Sequence, residues 1–106
     1  MVGVKVTILR YLSDDPQPGI VECQLEDANG NRILFIEKTA IVSTANLDAK
    51  TNYPQPGILA CEVLRRRRER AGREVVRIDT ERPWHIESVE GSTEFDVAAE
   101  SLVDLS

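Results

Sequence analysis

Histidine is almost missing from this chain: His85 is the only one in 106 residues, so a His-rich metal site is not available. Cysteine is scarce too, with Cys23 and Cys61 far apart and no C-x-x-C pair. No EF-hand spacing, P-loop or G-x-G-x-x-G fingerprint occurs. Those absences remove the recognisable metal, redox and nucleotide-binding patterns, and a non-enzymatic protein without cofactors is the expectation. No apolar run approaches the roughly 18 residues that a membrane span requires. The first residues alternate Val, Lys, Val, Thr and Ile in place of a signal peptide, which predicts a cytoplasmic protein with free thiols and no membrane partner.

Aromatic residues make up only 5% of the chain, and none lies between Arg65 and Arg73, where six arginines (65, 66, 67, 68, 70 and 73) face one Glu69. Single-strand nucleic-acid binders interleave aromatic stacking platforms with their cations. The arginines therefore read first as a solvated hairpin that protects a sheet edge, and only secondly as a phosphate grip. The net charge of −5 is divided unevenly: from Asp79 to Asp104 eight carboxylates stand against Arg82 alone. A global basic field that would recruit nucleic acid is lacking.

What is present is repetition. Pro16-Gln17-Pro18-Gly19-Ile20 recurs as Pro54-Gln55-Pro56-Gly57-Ile58, each followed by a segment carrying one cysteine in register. The spacing predicts an internal duplicated hairpin, 16–38 and 54–79, within a single domain, 1–106.

Val4, Val6 and Ile8 alternate with Lys5 and Thr7, and Val21, Cys23 and Leu25 alternate with Glu22, Gln24 and Glu26, the period of strands with one buried face. Asn29-Gly30 predicts a two-residue hairpin turn, setting Asp27 opposite Arg32, Leu25 opposite Leu34 and Cys23 opposite Ile36. That register turns Leu34 and Ile36 inward and Phe35 outward, where it is either covered by a loop or offered as a contact surface.

Ile58 to Arg70 has the composition of an amphipathic helix, but the repeat predicts a strand. Val63 is then opposite Val76 and Arg65 opposite Glu74, with a loop from about Arg67 to Gly72. Thr44 to Tyr53 is polar and irregular, with one helical turn expected at 45–49. Trp84 to Val89 and Thr93 to Ala98 predict a third hairpin around Glu90-Gly91-Ser92, while 99–105 fits a strand or a short helix. The sum is an all-β fold, a small antiparallel barrel or compact sandwich of about six or seven strands built from sequential hairpins.

Function is far less legible. Cys23, Cys61 and His85 do not form a recognised catalytic constellation, since the cysteines fall mid-strand with nothing predicted nearby to activate a thiolate. Trp84 is expected to plug a barrel end or, if partly exposed, to serve as a contact residue. Phe35, Arg66, Arg68, Arg70 and Trp84 are the candidate partner-binding residues. The expectation is a protein-protein interaction module, of a size and acidity that suit an inhibitor or immunity-type role. The alternatives are a nucleic-acid binder using the hairpin 65–73 and a small-molecule-binding barrel with its pocket near Trp84.

Overall fold

In the computed structural model, which describes residues 1–105, the chain is organised around its first strand, β1 (Val2–Ser13). Val4, Val6 and Ile8 enter the core as the alternation predicts, and their backbone pairs with strands on both sides. On one side lies β2 (Ile20–Glu26), followed by β3 (Arg32–Lys38); on the other lies β4 (Gln55–Arg68), followed by β5 (Glu74–Asp79) and β6 (Glu94–Ala98). A short strand β7 (Leu102–Asp104) pairs with the start of β1, beyond the reach of β2. Among the described residues all pairings are antiparallel, and seven strands form one curled, half-barrel sheet.

The curl brings the two outer strands together. Phe35 of β3 and Phe95 of β6 meet edge to face with ring centroids 5.7 Å apart, the arrangement that aromatic quadrupoles prefer. Two backbone hydrogen bonds help close the seam: Val89 donates to the carbonyl of Leu34 at 2.9 Å, and Ala28 donates to that of Asp96 at 2.8 Å.

Phe35 is thus fully buried, contrary to the outward placement expected from Asn29-Gly30. The cause is the turn. Asp27 donates to the Asn31 carbonyl at 2.9 Å and Gly30 to the Asp27 carbonyl at 3.1 Å, which makes a three-residue loop with Gly30 in the left-handed region at φ 81°. The Asp27 carboxylate accepts from the N–H groups of Asn29 and Asn31, so it closes the turn instead of pairing with Arg32. The register becomes Leu25 with Ile33 and Cys23 with Phe35, and one residue of slip exchanges the two faces of β3. Ile36, expected inside, is 42% exposed.

The same loop appears twice more. Glu69 to Arg73 and Ser88 to Ser92 repeat both hydrogen bonds, with Gly72 and Gly91 each at φ 87°. Glycine supplies that backbone conformation without the clash that a Cβ would bring. The loop expected over 67–72 is consequently shorter, and β4 runs on to Arg68 as a strand. Its ladder with β5 slips between Val63 and Arg65, so Val63 faces Ile78, Arg65 faces Arg77 and Arg66 faces Val76. The extra length of the second hairpin lies in the strand and this bulge, not in the loop.

The duplicated pentapeptide does not play the same part twice. Pro16 to Gly19 forms the turn into β2, with Gly19 at φ 129° and its N–H on the Pro16 carbonyl. Pro56 and Gly57 lie inside β4, opposite Thr7 and Val6. The internal duplication is therefore not borne out. A single helical turn forms at Thr39–Val42 instead of 45–49, and 99–105 contains both expected forms, a 3-10 turn over Ala99–Ser101 and then β7.

Candidate functional site

Thr80 and Ile86, both buried, pinch the neck of a loop that follows β5. Ile86 donates its N–H to the Thr80 carbonyl at 2.9 Å, and the Thr80 hydroxyl donates back to the Ile86 carbonyl at 2.5 Å. Inside the neck, His85 donates its backbone N–H to the Glu81 carbonyl at 2.7 Å. His85 itself has φ 52°, a left-handed conformation that non-glycine residues adopt only where the surroundings hold them. Pro83 and Trp84 stand at the apex. The chain's only tryptophan is 50% exposed, so it does not plug the barrel end.

Trp84 borders an apolar cleft of about 390 Å³ whose other walls include Ile41, Pro56, Ile58, Ala60 and Leu105. These side chains come from the helical turn, β4 and the segment after β7, elements far apart in sequence. A larger cleft of about 840 Å³ lies between the loops 14–18 and 43–50. Its walls are mostly exposed loop residues, joined by Tyr11 of β1 and the buried Thr39 and Leu47, and the Asp48 carboxylate is already engaged by Lys50 N–H and the Thr51 hydroxyl.

Burial pushes the Cys23 thiol up to about 12 and the Cys61 thiol up to about 11, so both are neutral and poorly nucleophilic. They are unpaired and buried. The His85 ring Nδ1 lies 2.6 Å from Glu81 Oε1, and that hydrogen bond first, and the carboxylate charge second, raise the imidazole above its ordinary value. Glu37 is raised by desolvation first and by Glu87 second. Among the described residues no group of three or more His, Cys, Asp or Glu side chains is placed to hold a metal ion. No helix among them is long and apolar enough to cross a membrane.

The arginine hairpin is more neutralised than its sequence suggests. Arg66 contacts Glu74 at 3.4 Å, Arg67 contacts Asp96 at 3.4 Å, and Arg73 pairs with Glu69 at 2.9 Å. Arg68 donates to the Gly72 carbonyl at 2.7 Å. Arg70 is exposed at the tip. Of the candidate contact residues, Arg66, Arg68, Arg70 and Trp84 are at the surface, in two separate places, whereas Phe35 belongs to the core. Sequence reasoning missed the walls around Trp84, because their convergence depends on how the sheet curls. Comparison with protein-family models, curated proteins and solved structures yields no match.

Proposed function

We propose that this chain is a cytoplasmic protein-interaction module that works by binding and not by catalysis, with Trp84 as the anchor of its contact surface. One observation carries the reading: an indole half exposed on a loop whose neck is tied by reciprocal Thr80 and Ile86 hydrogen bonds. A loop held in place before binding loses little conformational freedom on association, and tryptophan is enriched among residues that dominate interface energies. The adjacent apolar cleft suits an aliphatic or aromatic side chain of the partner. The neutral buried thiols speak against a cysteine nucleophile. Small size and acidity fit an inhibitor or immunity-type protein.

Affinity capture from the native cell with wild type and Trp84→Ala tests the reading. The variant should keep its melting temperature, because surface substitutions usually change stability by less than about 0.5 kcal/mol. It should lose the captured protein. Purified partner should also shift the emission of Trp84, the single tryptophan. Equal capture by both proteins would remove Trp84 from the interface.

A further inference from the structure

β4 changes neighbours halfway along its length. Gln55 to Cys61 pairs with β1 and Glu62 to Arg68 pairs with β5, on the opposite edge. The last β1 contact is Val2 with Cys61, so beyond Cys61 the β1-side edge of β4 pairs with no strand among the described residues. Alternate N–H and C=O groups of a strand point to each edge, and this one leaves its share unused over about 20 Å. The side chains are accessible: Glu62 and the whole run Leu64 to Arg68 are exposed. Leu64, skipped by the β5 ladder, is 43% exposed.

We infer that the free edge of β4 from Glu62 to Arg68 is a second docking surface, which accepts an extended acidic segment of a partner protein as an added strand. Charge selects the occupant. Arg66 and Arg67 already contact Glu74 and Asp96 at 3.4 Å and Arg68 donates to the Gly72 carbonyl, whereas Arg65 lies directly opposite Arg77 with no ion pair of its own among the described residues. Carboxylates on an incoming strand would meet guanidinium forks at cross-strand distance, a favourable pairing. A second copy of this chain added antiparallel on the same edge would set arginine against arginine, which is unfavourable. Nucleic acid fits less well, since no aromatic residue lies between Glu62 and Arg73 to stack on a base. At its Glu62 end the edge borders Arg82 and Pro83 of the Trp84 loop, while the stretch from Glu62 to Arg68 does not line the Trp84 cleft.

Amide hydrogen exchange by NMR tests the inference with four probes: short peptides alternating Glu with Val and Lys with Val, the Glu-Val peptide N-methylated at every residue, and an oligothymidylate. With the Glu-Val peptide at about ten times its Kd, amides of 62–68 that do not bond to β5 should exchange about tenfold more slowly. The Lys-Val peptide should give no protection. The N-methylated peptide keeps the charge but has no backbone N–H donor, and it should give none either. Arg65→Ser with Arg67→Ser should weaken the Glu-Val complex while the melting temperature holds. Equal protection by the N-methylated peptide would reduce the surface to unspecific electrostatics and overturn the inference. Tighter binding of the oligothymidylate would overturn it in favour of nucleic acid, and a concentration-dependent dimer protected over 62–68 would overturn it in favour of self-association.

Discussion

Phe35 and Ile36 are neighbours in sequence and opposites in energetics. Phe35 has no solvent exposure and packs against Phe95, so Phe35→Ala should cost about 3 to 5 kcal/mol, the usual loss for a buried aromatic side chain. Ile36→Ala, on the outer face, should cost under about 1 kcal/mol. Chemical denaturation of both variants checks the register directly, because the Asn29-Gly30 turn register predicts the reverse order. A second residue-scale prediction concerns pH. Glu81 raises the His85 pKa in the folded state, so the pair contributes stability at pH values below the ordinary histidine value of about 6.5, and that contribution is lost as pH rises through the raised folded value. The gap in melting temperature between wild type and Glu81→Gln should be widest on the acidic side of that window and close above it. The NMR titration midpoint of His85 should fall in the variant.

At the scale of the element, three loops share one construction, each with a glycine at positive φ; two join paired strands, while the third, Ser88 to Ser92, follows a segment, 84–89, that forms no strand in place of the expected third hairpin. A Cβ at Gly30, Gly72 or Gly91 would meet no atom within 4 Å, so substitution brings no clash with a neighbour. Only the local backbone penalty remains. Each Gly→Ala change should therefore cost about 1 to 2 kcal/mol, and Gly→Asn less, since asparagine tolerates the left-handed region. The sites are in different loops with no shared partners, so the three alanine costs should add. Thermal unfolding of the single and triple variants measures this. A loss confined to one site would show that the loops are not energetically equivalent.

For the whole molecule, charge is arranged as a lattice on the outer face of β4, β5 and β6. Arg77 reaches both Glu94 and Asp96, and Arg67 shares Asp96. Exposed pairs of this kind are worth about 0 to 1 kcal/mol each and weaken with salt. Replacing Arg66, Arg68 and Arg70 by Ser removes one ion pair, Arg66 with Glu74, and relieves repulsion among neighbours. The melting temperature should stay nearly constant. Sub-micromolar, salt-sensitive binding of single-stranded DNA by the wild type, lost in this triple variant, would promote the nucleic-acid alternative. The expected outcome is no such binding at physiological ionic strength.

The sequence by itself determined the class of structure and most of its strands. Alternation at Val4, Val6 and Ile8, and at Val21, Cys23 and Leu25, fixes both position and buried face, because period two leaves one side of a strand apolar. It also identified β4 as a strand despite helical composition, through an analogy that the structure does not uphold as a duplication. Pro16 to Ile20 and Pro54 to Ile58 are identical, yet one turns and the other extends, since five residues carry too little energy to impose a conformation against their surroundings. What only the tertiary structure decided was which side of β3 is inside and what gathers around Trp84. A run such as Ile33 to Ile36 is apolar on both faces and leaves the register to a single turn hydrogen-bond pattern. The cleft at Trp84 joins Ile41, Ile58 and Leu105, whose adjacency exists only once the sheet has curled on itself.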